Sequence, residues 1–518
     1  MMFKGSDCRE LCVFLLMVAG HLYAAEYEPL RLDPQNPHYL NFRGKPTVLV
    51  TSGEHYGAVI NLDFNYSRYL KELQRAHLNL TRVFAGSYRE IDKPHDAVKG
   101  GYTIDRNTLA PKPSRFVSPW KSAVQADGTV KFDLHHWNPR YFERLHDFLR
   151  QAGKRGVVVE LSLFCLMYDQ SLWAVSPLNS RNNGNQTEDV PNTEVYNLQH
   201  PRLQEAEDNL VRKLITETRQ FDNLYFEVIN EPYWHSVTPQ WQRHVTDEIK
   251  EAEAGLGVKH LISQNYANFS ERVKDPDPNV SLFNFHYSRP PESVAMNYEL
   301  KRAIGLNETG FDGPADAAYR IQGWDFLSAG GALYNNLDYS FAAGYERGTF
   351  RYPAYTPGGG GETLRRQLGY LSEFFNSYDL PPMSPLSSVI VGGDLGGASA
   401  RVLGEAGKQY AIYLHRGRVA QNQKPQYQVD NQPHTVRLLL HLPQRNYQYA
   451  WVDPKSGQAV SEGVFAQVGE TQELLSPEYR EDIALRILAG PFSTRRLSHS
   501  QIRSIQYPTG RLAAPIIE

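Results

Sequence analysis

The 518-residue sequence has few cysteines, almost no net charge and few long apolar runs. Cys8 and Cys12 lie in an N-terminal segment, which leaves Cys165 alone in the rest of the chain. A single cysteine excludes an intramolecular disulfide and a cysteine-based metal site. The formal net charge is -3, and no run of lysine or arginine suggests a basic face for nucleic acid. The expected partner is therefore uncharged or weakly charged.

One pronounced apolar run is present, and it lies near the N-terminus. Lys4 and Arg9 precede the apolar residues 11–20, and the small residues Ala24 and Ala25 follow them. The run is too short to cross a bilayer as a helix and is typical of a signal peptide over residues 1–25. The alternative is an uncleaved N-terminal anchor. We expect a secreted or periplasmic protein whose mature chain has no membrane span.

Several catalytic motifs are also missing. The sequence has no His-Glu-x-x-His, no Gly-x-Ser-x-Gly and no phosphate loop ending in Gly-Lys-Ser/Thr. His135 and His136 lack the spacing that places two metal ligands on one helical face. We therefore expect neither a metal nor another cofactor.

From about residue 46 to residue 378, short apolar runs alternate with amphipathic segments. This alternation predicts a parallel sheet covered by helices. The candidate strands are Thr47–Thr51, Leu78–Ala85, Val157–Phe164, Leu224–Asn230, His260–Asn265, Val280–His286, Ala303–Glu308 and Gly331–Asn336. Eight strands with interleaved helices predict an α/β fold, the (β/α)8 TIM barrel. The doubly wound alternative is less favoured because no glycine-rich phosphate loop follows the first strand.

Helix-start signals separate several of these strands. Asp63 is a candidate N-cap, and Asn138-Pro139 and Thr238-Pro239 each open an amphipathic segment. Residues 362–377 form the last predicted helix of the barrel. Long connections at residues 86–135, 165–200 and 341–361 each follow a strand, so they belong on the C-terminal face of a barrel. Three long loops on one face favour a substrate cleft there.

After Pro381-Pro382 the pattern changes to short alternating strands separated by turns, of which residues 453–457 are the clearest. This pattern predicts a C-terminal antiparallel β-sandwich domain. The predicted organisation is a signal peptide at 1–25, a barrel at 26–383, a β-sandwich at 384–495 and a polar tail at 496–518.

Two apolar strands end in a glutamate. Glu231 follows Asn230 and precedes Pro232 after the fourth strand, and Glu308 ends the seventh. The ends of these strands lie across the barrel mouth from each other, which is the arrangement that glycoside hydrolysis requires of its two carboxyl groups. The acid needs a raised pKa, and the nucleophile needs polar donors around it. Asn307 and Arg82 are the expected donors.

Asn230-Glu231-Pro232 together with Glu308 resembles the clan A retaining glycoside hydrolases, especially the cellulase-like members. The resemblance covers roughly residues 30–380. It implies that Glu231 is the acid/base, that Glu308 is the nucleophile and that Asn230 binds the 2-hydroxyl of the sugar.

The resemblance extends to positions around the two glutamates. Arg82 is similar to the strand-two arginine that supports the nucleophile, and His286-Tyr287 to the strand-six pair beside it. Strand eight of the clan often supplies a tryptophan floor for the sugar, and the corresponding segment here contains Tyr334 instead. The domain after the barrel resembles the C-terminal domain of apiosidase-like proteins.

Two further parts of the sequence are expected to contact substrate. The segment Glu54-His55-Tyr56 ends strand one at the same face and is expected to line the site, with a loop-anchoring role as the alternative. Trp234 follows the Asn-Glu-Pro motif and is expected to stack on a sugar ring.

The sequence therefore predicts a retaining glycoside hydrolase that cleaves O-glycosidic bonds of a poly- or oligosaccharide through a glycosyl-enzyme. One alternative is a non-catalytic carbohydrate-binding protein on an inactive barrel. Another is an inverting hydrolase, whose carboxyl groups would lie ~6.5–9.5 Å apart. The sugar, the linkage and endo or exo action are left open.

Overall fold

A computed structural model describes residues 28–92, 104–233, 237–353 and 356–490. The predicted signal peptide, the predicted C-terminal tail and Trp234 lie outside these ranges. Among the residues that are described, no helix has the length and apolar character needed to cross a bilayer.

Eight parallel strands form the barrel, as predicted. They are β1 Leu49–Gly53, β2 Leu80–Phe84, β3 Val158–Cys165, β4 Leu224–Asn230, β5 Ile262–Asn268, β6 Leu282–His286, β7 Ala303–Glu308 and β8 Leu333–Leu337. Their order in the sheet is β1-β8-β7-β6-β5-β4-β3-β2. Asn79 links the two end strands, because its side chain bonds the backbone of Val48 and Val50. A bridge between Tyr56 and Val83 adds a second link at the other end.

The interior of the barrel changes from apolar to polar towards the mouth. Side chains alternate along a strand, so residues two apart point the same way. The lower cluster is apolar and includes Leu49, Leu80, Val158, Tyr225, Leu282 and Leu333. Two positions further along their strands stand the buried polar residues Arg82, Glu160, Glu227, Asn284 and Asn335. The sequence thus places a charged layer directly beneath the mouth.

Helices cover the outside of the barrel. They are α1 Tyr66–Arg75, α2 Pro139–Lys154, α3 Pro201–Thr218, α4 Pro239–Ala254, α5 Glu292–Asn297, α6 Asp316–Ser328 and α7 Glu362–Asn376. Asn138 and Thr238 cap α2 and α4 as predicted. The predicted cap Asp63 is wrong, because Asn65 caps α1 while Asp63 pairs with Arg115. No helix separates β5 from β6 in the described segment 269–281.

Short elements decorate the barrel. The N-terminal strands Arg31–Leu32, Leu40–Phe42 and Lys45–Thr47 form a small sheet. The connection after β2, predicted as a loop, contains the hairpin Trp120–Val124 and Val130–Trp137. The remaining pieces are the helical turns Pro113–Arg115, Gln170–Trp173, Asn192–Glu194 and Tyr298–Leu300.

The chain then forms the predicted antiparallel β-sandwich. Its strands are β9 Ser384–Pro385, β10 Ile390–Asp394, β11 Ser399–Glu405, β12 Gln409–His415, β13 Gly417–Val419, β14 Tyr427–Val429, β15 Arg437–Leu440, β16 Asn446–Asp453, β17 Gln458–Ala466, β18 Gln472–Leu475 and β19 Asp482–Ala489. A six-stranded sheet of order β9-β11-β12-β19-β16-β17 shares one apolar core with a three-stranded sheet, β10-β15-β18. The strands β13 and β14 form a separate hairpin.

The β-sandwich packs on helix α6 of the barrel. Arg320 is buried and donates to Asp482 at 2.7 and 3.0 Å. The ring of Trp324 stacks on Tyr413 with 5.4 Å between centroids. Buried charge-assisted bonds and stacked rings make this a fixed junction between the two domains.

Candidate active site

Glu231 and Glu308 face each other at the barrel mouth. One carboxylate oxygen of each and a ring nitrogen of His286 all lie within 4.8 Å of one another. Both side chains are largely buried, with 13% and 8% of their surface exposed. The strand ends therefore bring the two predicted carboxylates together, as the resemblance implied.

Three donors converge on Glu308. Its Oε2 accepts hydrogen bonds from the Tyr56 hydroxyl at 2.9 Å and from Arg82 Nη1 at 3.2 Å. Its Oε1 accepts from the Tyr287 hydroxyl at 2.5 Å. One cation and two hydroxyl groups thus donate hydrogen bonds to this carboxylate and fix its position at the mouth.

Glu231 has a different set of partners. The Tyr168 hydroxyl donates to Oε2, and His286 Nδ1 donates to Oε1 at 3.2 Å. The Tyr233 hydroxyl lies 3.3 Å from Oε1 and also donates to Asn268 at 2.7 Å. Burial raises the pKa of Glu231, but the hydrogen bond and charge of His286, with the two tyrosine hydroxyls, outweigh it and hold the pKa below its usual range. This direction is the opposite of the raised pKa that was expected of the acid.

Arg82 joins the two carboxylates through a buried network. Its guanidinium donates to Glu227 and, through Nη2, to Asn230 Oδ1 at 2.7 Å. Burial alone lowers the pKa of Arg82, whereas the surrounding carboxylates raise it well above its usual value. The amide of Asn230 continues the chain, since its Nδ2 donates to the Tyr168 hydroxyl at 2.9 Å. Arg82 thus contacts Glu308 directly and reaches Glu231 through two neutral groups.

Glu160, which lies in the polar layer beneath the site, has a raised pKa. Burial and the charge of Glu227 raise the pKa of Glu160 to about 8. Asn284 and Asn307 donate to its Oε1 at 2.8 and 3.1 Å. Glu160 therefore keeps its proton to higher pH than an ordinary glutamate, in a layer where Arg82 contacts both Glu227 and Glu308.

Asn307 does not donate to Glu308 as the sequence suggested. Its amide donates to Glu160 and Glu227 in the barrel interior. The register between β6 and β7 shifts here, since Phe285 pairs with Leu306 but His286 pairs with Glu308. This irregularity changes the direction in which the side chains at the end of β7 point.

Three site residues adopt a left-handed backbone conformation. The φ angles of Tyr56, Glu231 and Tyr287 are 64°, 52° and 53°. Such angles are uncommon outside glycine and concentrate at functional sites. The Glu231 N–H donates to Asn265 at 2.8 Å, and the Tyr287 N–H donates to the Glu308 carbonyl at 3.0 Å. These bonds hold the turns that direct the side chains over the mouth.

The structure does not bring two of the predicted contact residues to the mouth. Tyr334 is fully buried and donates to the carbonyl of Tyr319, on the outer face of β8. Glu54 is 1% exposed, and its carboxylate accepts from the Ala58 N–H and the Thr108 hydroxyl. Glu54 therefore anchors a loop, because both of its oxygens are used within the protein.

His55 lies between the mouth and the β8 loop. Its ring stacks on Tyr56 at 5.0 Å and lies 5.7 Å from the ring of Tyr339. Burial lowers the pKa of His55 to about 4, so the ring is neutral at physiological pH. Tyr339, which was not predicted as a site residue, follows the end of β8 by two residues.

Replacing Glu54 by glutamine is expected to flatten the pH dependence of stability. Burial raises the pKa of Glu54 to about 7 from an ordinary value of 4.5. Its contribution to the free energy of unfolding is present below the unfolded pKa and is lost as pH rises through about 7, a loss of about 3 kcal/mol. The Thr108 hydroxyl can accept from the new amide while it donates to the carbonyl of His55.

Denaturant unfolding at pH 5 and pH 8 measures this effect. Wild-type protein should lose more stability between the two values than Glu54→Gln, and the exposed Glu251→Gln should behave as wild type. Equal losses in wild type and Glu54→Gln would contradict the assignment.

Two groups of described residues have ligand atoms close enough to hold a metal ion. One is Glu231 with His286 and Glu308, and the other is Asp208, His244 and Glu248. In the first group, tyrosine hydroxyls and Arg82 already donate hydrogen bonds to the carboxylate oxygens. This arrangement suits carboxylates that act on an organic substrate. In the second, Glu248 pairs with Arg212 at 2.6 Å.

Comparison with solved structures finds glycoside hydrolases. A glycoside hydrolase family 5 structure from Bacteroides vulgatus is 11% identical, has a TM-score of 0.56, and covers 89% of this chain and 93% of its own. A second structure from Bacteroides vulgatus, named as a candidate glycoside hydrolase, is 12% identical with a TM-score of 0.58 over 90% of this chain and 83% of its own. A third structure, named a glycoside hydrolase, is 12% identical and has a TM-score of 0.53. The match covers 90% of this chain and 98% of that structure's chain.

No protein-family model and no curated protein matches the chain in sequence. At identities of 11–12% the structural likeness concerns the fold. The chain has the fold of these glycoside hydrolase structures, a (β/α)8 barrel followed here by a β-sandwich.

Proposed function

We propose that the protein is a retaining glycoside hydrolase acting on an oligo- or polysaccharide. The observation that carries the proposal is the placement of Glu231 and Glu308, whose nearest carboxylate oxygens lie within 4.8 Å. Retaining enzymes hold their carboxyl groups about 5–5.5 Å apart, whereas inverting enzymes need ~6.5–9.5 Å to admit a water molecule.

In the first step Glu308 attacks the anomeric carbon, and the bond from that carbon to the leaving oxygen breaks. Glu231 donates its proton to that oxygen. Arg82 and the hydroxyls of Tyr56 and Tyr287 hold the attacking carboxylate in place. In the second step Glu231 takes a proton from water, the water oxygen bonds to the anomeric carbon, and Glu308 is released.

The remaining predicted contacts fall into supporting roles. Asn230 has both of its polar side-chain atoms engaged by Arg82 and Tyr168, so we assign it to positioning. His286 donates to Glu231 and lies 3.7 Å from Glu308, so its ring lies beside both carboxylates. The side chain of His55 is partly exposed, so its ring can contact a sugar, whereas its Nδ1 is buried and has no hydrogen-bond partner among the described residues.

A panel of 4-nitrophenyl glycosides of glucose, mannose, galactose, xylose and arabinose tests the proposal. Wild-type protein should release nitrophenol from at least one of them, and Glu308→Gln should not. Binding of glycans without cleavage of any aryl glycoside or plant polysaccharide would instead favour a non-catalytic carbohydrate-binding protein.

Replacing His286 by asparagine is expected to move the alkaline limb of the pH profile of kcat/KM to higher pH. The acid works when it is protonated, and His286 lowers the pKa of Glu231. Its removal raises that pKa, so the proton is kept to higher pH. The matched control is His260→Asn, since His260 is equally buried and bonds Glu253 away from the mouth. A limb that stays in place or moves to lower pH contradicts the role given to His286.

A further inference from the structure

A cleft of about 860 Å³ opens beside the two carboxylates, between the barrel and the β-sandwich. Barrel residues Asn268, Phe269, Tyr287, Arg289 and Phe311 line one side. The opposite side is residues 421–426, the tip of the hairpin formed by β13 and β14. The cleft therefore has walls from both domains.

The cleft borders the proposed active site. Tyr287, in its wall, donates to Glu308 at 2.5 Å. Asn268, also in its wall, accepts from Tyr233, whose hydroxyl lies 3.3 Å from Glu231. Each carboxylate is thus at most two residues from the cleft, which is close enough for the next unit of a bound sugar chain to reach it.

The barrel wall presents two large aromatic side chains to solvent. Phe269 is 57% exposed and Phe311 is 43% exposed. Both have a left-handed backbone, with φ of 65°, and the Phe269 N–H donates to the carbonyl of His286 at 2.7 Å. A bulky residue in this conformation is strained, and exposed aromatic surface next to a site is typical of ligand contact. Aromatic faces suit the apolar C–H surface of a sugar ring.

The hairpin wall is made largely of amides. Its exposed polar side chains are Gln421, Asn422, Gln423, Lys424 and Gln426. An amide offers both donors and an acceptor, as the hydroxyl groups of a neutral sugar require. Arg289 on the opposite wall is paired with Asp312, with nitrogen–oxygen distances of 2.5 and 2.8 Å. The amides and the neutralised Arg289 suit a neutral sugar, and Lys424 is the one charged side chain of the hairpin wall.

The barrel holds the hairpin in place. Tyr427 is buried in an apolar cluster with Ala318 and Ile321 of α6. Asp312 accepts hydrogen bonds from the backbone of Tyr427 and from Gln322 at 2.8 Å. At Gly313 an added Cβ would lie 3.3 Å from Pro425, so the hairpin packs closely against this loop. The wall is formed before any substrate arrives, which reduces the cost of binding.

We propose that this cleft is a second sugar-binding position, in which Phe269 and Phe311 stack on a neutral sugar unit and the amides of the hairpin tip bind its hydroxyls. The β-sandwich domain then takes part in substrate recognition. The inference rests on the proposed function, because the occupant of the cleft is the next sugar unit of the substrate that Glu231 and Glu308 cleave.

The test compares short and long substrates of the sugar that the wild-type protein cleaves. The substrates are its 4-nitrophenyl monosaccharide glycoside and unmodified oligosaccharides of two to five units. In Phe269→Ala and in Gln421→Ala/Gln423→Ala, the ratio of kcat/KM for long over short substrate should fall about tenfold, as loss of one stacked ring or two hydrogen bonds predicts. Phe311 is left intact because its ring contacts Tyr287. The control Leu475→Ala, at an exposed position of β18, should keep the wild-type ratio.

A ratio within about twofold of wild type in both variants overturns the inference. If the wild-type protein cleaves no glycoside, the proposed function fails, and calorimetric titration of Glu308→Gln with oligosaccharides of glucose, mannose, galactose and xylose still tests the cleft. Binding that weakens about tenfold when Phe269→Ala is added supports it. Equal affinity, no binding at all, or a preference for uronate-containing oligosaccharides overturns it.

Discussion

Replacing Glu308 by glycine is expected to lower kcat by on the order of 10⁴-fold or more, because the residue forms the covalent bond to the sugar. The substitution removes a carboxylate that faces the mouth and leaves Arg82, Tyr56 and Tyr287 around the space it occupied. Azide is a small anion that fits among these donors. Added azide should restore turnover and give a glycosyl azide of inverted anomeric configuration.

Glu231→Ala is the matched control for this experiment. In that variant Glu308 still attacks aryl glycosides with good leaving groups, and azide then displaces Glu308 from the glycosyl-enzyme. The glycosyl azide should have retained configuration, which chromatography and NMR spectroscopy distinguish from the product of Glu308→Gly. If Glu308→Gly gave the azide of retained configuration and Glu231→Ala the inverted one, Glu231 would be the nucleophile and Glu308 the acid/base. Wild-type turnover in Glu308→Gly would show that Glu308 takes no part in the mechanism.

Replacing Arg82 by methionine is expected to destabilise the fold by about 3–5 kcal/mol, because removing one partner of a buried ion pair leaves charge uncompensated. The Arg82 side chain is fully buried, and it bonds Glu227 and Glu308. The further substitution Glu227→Gln removes one of the two stranded charges. The double variant should therefore be more stable than Arg82→Met alone, although Glu308 remains without its cation.

Denaturant unfolding of wild type, both single variants and the double variant measures this coupling. The variant Arg82→Lys should also be measured. Lysine keeps the charge but lacks the planar guanidinium group, whose several N–H donors bond Glu227, Asn230 and Glu308 at once. Additive losses in the double variant, or a loss below about 1 kcal/mol in Arg82→Met, would contradict the account of the network.

The barrel was predictable because its strands are short apolar runs buried on both faces. Val158–Cys165, for example, is buried at every position, and such runs stand out against amphipathic helices. Glu231 and Glu308 were predictable for a related reason. A carboxylate at the C-terminal end of a barrel strand lies at the mouth, and this placement does not depend on the conformation of the loops.

Residues on the loops were not predictable in the same way. Tyr168 follows β3 in a long connection, and nothing in its local sequence indicates a bond to Glu231. Tyr56 was expected at the site only as part of the segment Glu54-His55-Tyr56, because the sequence does not reveal which of the three residues takes the left-handed turn. Tyr334 was expected at the mouth, but side chains alternate along β8 and its ring points outward. The cleft beside the site depends on contact between two domains, which no local pattern specifies.

The anomeric configuration of the first product tests the central claim most directly. Proton NMR spectroscopy, recorded in the first minutes of hydrolysis of the best aryl glycoside, resolves the two anomers before they interconvert. A double displacement by Glu308 and then water predicts that the sugar first appears with the configuration of the substrate. First appearance of the opposite anomer would show a single displacement by water and contradict the assignment of Glu308 as nucleophile.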